Sequence, residues 1–155
     1  MQIYKLVRIQ NIPIGIEEAW HFFSRPEYLI KICPPYVDFK VISEIKNVDI
    51  HNGMNIQYRV SPLMGIPLNW ISEIRDMKEP ACFVDIQKRG PFKLWEHTHL
   101  FKEIPGGVEM TDSVEYALPY GLLGQAINKF LIANKLKSIF DYRVEAIKKL
   151  FGEYR

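Results

Sequence analysis

Two histidines one residue apart, His97 and His99, are the residues of this 155-residue chain best suited to chemistry. On a β-strand, residues i and i+2 point to the same side, roughly 6.5–7 Å apart. Such a pair can chelate a metal when further ligands converge on it, or move protons near neutral pH. Asp112 is the nearby carboxylate on the neighbouring strand, and it can orient His99 for acid–base work. The same contact has a plainer meaning, because a buried aspartate and a buried histidine satisfy one another. His21 and His51 lie elsewhere, so third and fourth metal ligands are missing and neither a metal nor another cofactor is expected. Ser72 has no nucleophile signature around it, and Cys33 precedes Pro34 without a basic partner.

A hairpin must position these groups. Residues 93–104 and 107–117 read as two long antiparallel strands around Pro105-Gly106-Gly107. A two-residue Gly106-Gly107 loop pairs Phe101 with Asp112, His99 with Val114 and His97 with Tyr116. Trp95, His97, His99 and Phe101 then share a face with Met110, Asp112, Val114 and Tyr116. Glu96, Thr98, Lys102 and Glu109 fall on the other face, which suits solvent. A loop one residue longer would set Glu96 and Thr98 beside Asp112, a worse separation of polar from apolar.

The rest of the chain supplies more strands and one long helix. Residues 2–11 alternate as a strand, Ile16–Ser24 is a short amphipathic helix, and Glu27–Ile32 a second one. Strands follow at 37–50, 54–61, 65–76 and 81–89. Asn52-Gly53 signals a tight hairpin pairing Ile45 with Val60, which turns Tyr58 inward. Ile66, Leu68, Trp70, Ser72 and Ile74 form the inward phase of 65–76, and Cys82, Val84 and Ile86 that of 81–89. A helix of about 122–151 carries Leu123, Ile127, Phe130, Ala133, Phe140, Val144, Ile147 and Phe151 at helical spacing on a buried face. Strands grouped apart from helices mean an α+β fold with an antiparallel sheet.

Composition narrows the function. Net charge is +2, from 20 basic and 18 acidic residues, and no basic stripe appears, so no nucleic-acid partner is expected. No apolar run approaches the ~18 residues of a membrane span, so no stable membrane insertion is expected. Two cysteines and no signal-like start point to free thiols and a cytoplasmic location. Aromatic residues make up 13% of the chain, which suits an interior lined with rings.

The segments RGPFKLWEHTH at 89–99 and MTDSVEYALPYGLLG at 110–124, within this order of elements, resemble a bacterial ligand-binding subgroup of the START/birch-pollen-allergen-like (SRPBCC) superfamily. The resemblance implies one helix-grip domain over residues 1–155, a curved seven-stranded antiparallel sheet wrapped around the C-terminal helix with an apolar cavity between. It implies a hydrophobic small-molecule partner of lipid, isoprenoid or polyketide-like type, held as cargo or sensed. Tyr58, Trp70, Trp95, His97, His99, Phe101, Met110, Asp112, Tyr116 and Phe130 are the expected ligand contacts. The superfamily also contains cyclases and dehydratases. The alternative is therefore an enzyme using His97 or His99 with Asp112 for proton transfer. A third reading is a protein-interaction domain whose cavity is vestigial.

Overall fold

The computed structural model describes residues 1–62 and 65–155. Strand β1 (Tyr4–Ile12) leads into helix α1 (Ile16–Phe23), then 3-10 turns at Pro26–Ile32 and Pro35–Val37. Strands β2 (Lys40–Val41), β3 (Asn55–Val60), β4 (Leu68–Lys78), β5 (Cys82–Arg89), β6 (Leu94–Ile104) and β7 (Gly107–Ala117) follow. Helix α2 (Gly121–Ile127), a π-helical turn (Asn128–Ile132) and helix α3 (Ala133–Phe151) then form one continuous rod. The seven strands make a single antiparallel sheet in the order β1-β7-β6-β5-β4-β3-β2, a meander closed at one edge by the first strand. This is the helix-grip architecture: the sheet curves around the terminal helix, and α1 covers one end.

The main core lies at that end, where Trp20 and Phe23 of α1 pack on Phe83 and Phe101 of the sheet. Phe22 and Phe23 also meet Phe151, tying α1 to the last turn of α3. Gly107 opens β7 beneath β1, where a Cβ would run into the Ile12 carbonyl oxygen. Glycine is what lets those two strands start so close together.

Four details differ from the sequence reading. First, the β6–β7 turn is Pro105-Gly106, because Ile104 already pairs with Gly107. The register moves by two residues, so His99 lies opposite Asp112, His97 opposite Val114 and Trp95 opposite Tyr116. A shift of two preserves every face. Second, residues 37–50 do not form a strand beyond Lys40–Val41, and Val41 pairs with Tyr58 in place of Ile45 with Val60. The segment makes local bonds instead. The Ser43 hydroxyl accepts from the Gln57 amide, and the Asn47 amide donates to Glu27. Asn52-Gly53 closes a turn, with the Met54 amide donating to the His51 carbonyl, but only Gly53 takes positive φ. That turn docks on β4, where the Met77 amide donates to Asn52 Oδ1.

Third, β5 turns Phe83 and Asp85 inward, not Cys82, Val84 and Ile86. Cross-strand partners share a face, and Phe83 pairs with His99 while Asp85 pairs with His97. An inward aspartate breaks the apolar alternation that suggested the opposite phase. On β4, Trp70, Ser72 and Ile74 do point inward, but Ile66 precedes the strand and is exposed. Fourth, the first third of the rod overhangs the sheet. Its buried residues are Gly124, Asn128 and Ile132, while Leu123, Ile127 and Phe130 are exposed. The buried stripe continues through Leu136 and Phe140, always in steps of four. Steps of four outrun the 3.6-residue turn of an α-helix, and the π turn takes up the excess.

Candidate functional site

The sheet and the rod enclose a cavity of about 270 Å³. Its walls are apolar, built from residues such as Val37, Leu68, Phe92, Leu118, Ile132 and Phe140. Trp70, Phe92 and Trp95 form one aromatic corner, with centroids 4.9–5.7 Å apart. The Trp70 indole N–H is satisfied by Ser72 Oγ at 3.1 Å, so that ring presents apolar surface. One part of the lining is charged: Asp85, His97, His99 and Arg143 all face the cavity.

Of the residues expected to contact a ligand, Tyr58, Trp70, Trp95, His97 and His99 line this cavity. Phe101 and Met110 sit deeper, in the core beside α1. Asp112 lies behind the histidines and is 2% exposed. Tyr116 is buried in a separate cluster, donating its hydroxyl hydrogen to Asn128 Oδ1 at 2.7 Å. Phe130 is 75% exposed and stands outside the cavity.

Two residues that sequence reasoning missed complete the polar cluster. Asp85 arrives from β5, and its Oδ2 accepts a hydrogen bond from His99 Nε2 at 2.8 Å. Arg143 arrives from α3, where its Nη2 donates to Asp112 Oδ1 at 3.3 Å and its Nε sits 3.0 Å from Oδ2. The sequence did hold a signal for Arg143. It occupies the buried stripe between Phe140 and Ile147, where an arginine requires a carboxylate partner. His97 Nε2 lies 2.9 Å from Asp112 Oδ1, and the two imidazoles stack with centroids 3.8 Å apart. The two rings thus bridge a carboxylate on β5 and a carboxylate on β7.

Electrostatics follow from this crowding. Burial alone would raise Asp112, but the Arg143 guanidinium and the hydrogen bond to His97 hold it well below the ordinary carboxylate range. Burial likewise works against Asp85, and the His99 hydrogen bond with the charges around it wins, lowering it. His99 is pushed down to about 4, first by burial and then by His97 beside it. Cys33, also on the cavity wall, is raised by burial and is therefore a poor nucleophile.

A pH dependence follows for His99. Folding keeps this imidazole neutral down to about 4, while the unfolded chain takes up the proton near 6.5. Between those values the unfolded state binds more protons, so stability is full above about pH 6.5 and falls as pH drops toward 4. The shift corresponds to about 3 kcal/mol. The urea midpoint is expected to fall steadily between pH 7 and 4.5, and His99→Gln to flatten that slope. A midpoint constant across the window would contradict this environment for His99.

No protein-family model matches the chain, and no curated protein matches it. Solved structures do. TTHA0849 from Thermus thermophilus has a TM-score of 0.67 at 16% identity, covering 94% of this chain and 95% of its own. A START superfamily protein from Mycobacterium smegmatis has a TM-score of 0.67 at 12% identity, covering 94% and 98%. The fold is the START-like helix grip. Ara h 8.0201, at a TM-score of 0.64 and 10% identity, covers 96% of this chain and 99% of its own, extending the likeness to a Bet v 1-like protein. At such identities the likeness is one of START-like architecture, and the chemistry of the site rests on this chain's own residues.

Proposed function

We propose that this START-like chain binds an apolar small molecule of lipid, isoprenoid or polyketide-like type, as a carrier or sensor. The cavity itself is the observation that carries this reading: apolar and aromatic walls, with one charged region to meet a polar head. Its volume of about 270 Å³ falls just below the ~300–1,000 Å³ of small-molecule sites. Protein purified from its native source is expected to yield an apolar compound on solvent extraction, identified by mass spectrometry. Leu136→Trp places an indole in the cavity from α3. That variant is expected to weaken binding of 1-anilinonaphthalene-8-sulfonate at least tenfold while keeping its melting temperature within a few degrees. Equal dye binding by the filled variant, with no extractable compound, would sink the reading.

The His–Asp cluster at the cavity favours a second reading, a cyclase- or dehydratase-type enzyme. His99 is held neutral and lines the cavity; with its proton on Nδ1 toward Asp112, the Nε2 beside Asp85 is the nitrogen left to act as a general base on an acidic C–H beside a carbonyl. Turnover of a β-polyketone substrate by wild type, lost in His99→Gln and Asp85→Asn, would support it. Equal rates in all three would exclude that role.

A further inference from the structure

We propose that Asp85, His97 and His99 form a binding site for a first-row divalent transition metal ion. Asp85 Oδ2 lies 2.8 Å from His99 Nε2 and 3.8 Å from His97 Nδ1. One donor atom from each residue falls within a sphere where all lie within 4.8 Å of one another. An ion about 2.1 Å from each donor sets the donors roughly 3.0–3.4 Å apart, so Asp85 and His99 must open from 2.8 Å, the wider pairs must close, and the two imidazoles must swing out of their stack. Two imidazoles and one carboxylate suit zinc, iron or cobalt, and three protein ligands leave coordination positions free. All three residues line the cavity, so those positions face its interior.

The surroundings fit a metal centre better than a bare hydrogen-bond network. His97 turns its other nitrogen, Nε2, to Asp112 Oδ1 at 2.9 Å. His99 turns Nδ1 to the same oxygen at 3.4 Å, and that buried nitrogen has no hydrogen-bond partner among the described residues. When His99 Nε2 donates to Asp85, Nδ1 carries a lone pair facing a carboxylate. A cation at the Asp85 side reverses the tautomer: Nε2 binds the ion, and Nδ1–H is free to donate to Asp112. Both histidines then have the carboxylate–histidine–metal arrangement that fixes ring orientation at metal centres. Arg143 pins Asp112 from behind. Charge agrees, because two carboxylates against one guanidinium leave one negative charge in excess when both imidazoles are neutral. The sequence reading left the third ligand missing. Asp85 supplies it from β5, and Asp112 supports instead of ligating.

The inference stands on the donor set, not on the small-molecule reading, and metal uptake without apolar binding would separate the two. Metal-free protein is titrated with Co²⁺, read by its visible ligand-field bands, and with Zn²⁺ by calorimetry. One equivalent is expected to bind at micromolar dissociation constant or tighter. His97→Ala and His99→Ala are expected to weaken it at least 100-fold, Asp112→Asn 10–100-fold, and His21→Gln and His51→Gln not at all. Because a histidine variant can unfold, Cys33→Ser/Cys82→Ser is also titrated. Unchanged binding with no thiolate charge-transfer band supports imidazole–carboxylate ligation. No stoichiometric uptake of either ion, uptake lost in the folded cysteine-free variant, or uptake indifferent to His97 and His99 in folded variants would overturn the site.

Discussion

Arg143→Met is expected to destabilise the protein by about 3–5 kcal/mol, the cost of leaving a buried carboxylate without its cation. Asp112 is almost wholly buried and has two kinds of partner, imidazole and guanidinium. Removing the guanidinium leaves the carboxylate with the His97 imidazole as its hydrogen-bond donor and no fixed positive charge beside it. Methionine keeps much of the side-chain volume, so the loss is electrostatic rather than a cavity effect. At this chain length the melting temperature should fall by roughly 10 °C. The double variant Arg143→Met/Asp112→Leu removes both charges and should recover most of the loss. Urea denaturation of the two singles and the double measures the coupling. A loss under 1 kcal/mol for Arg143→Met would show that the pair behaves as an exposed one.

Phe23→Ala should cost a similar amount, about 3–5 kcal/mol, for a different reason. Phe23 is buried at the meeting of α1, β6 and α3, with rings of Phe22, Phe101 and Phe151 within 5.0–6.3 Å. None of those rings can collapse into the void without leaving its own partners. The Arg143 guanidinium also lies 5.6 Å from the Phe23 centroid. Phe23→Ala therefore loosens the residue that holds Asp112, and sensitivity to acid should increase along with the loss of stability. Phe23→Leu should retain more than half of the lost stability. Equal effects of alanine and leucine in urea titrations would remove packing as the cause.

The fold was legible because its signals are long: β6 and β7 alternate over eleven residues each, and one helical rod closes the chain. The face assignments on β6 and β7 survived a two-residue error in register, though the pairs did not, because strand faces repeat every two residues. Asp85 was not legible. It sits between Val84 and Ile86, and alternation assigns the charge to solvent unless a neighbouring strand brings a histidine to it. Phe130 misled for the opposite reason. Its spacing fits a buried stripe in an unbroken α-helix, and the π turn at Asn128–Ile132 changes the phase there. The missing strand at 42–50 reflects side chains that bond locally, a competition that hydrophobic period does not register.

The way the rod begins has a consequence for traffic. From Gly121 to Ile132 its buried positions are Gly124, Asn128 and Ile132, and Leu122 is 82% exposed. Ile132 in that footing, and Leu118 just before the rod, are also part of the chamber wall. Lifting these few turns breaks few apolar contacts, so local unfolding is cheap there. A guest would cross the wall at this flap, with the sheet and its histidines left undisturbed, and amide exchange in this stretch should outpace the rest of the rod.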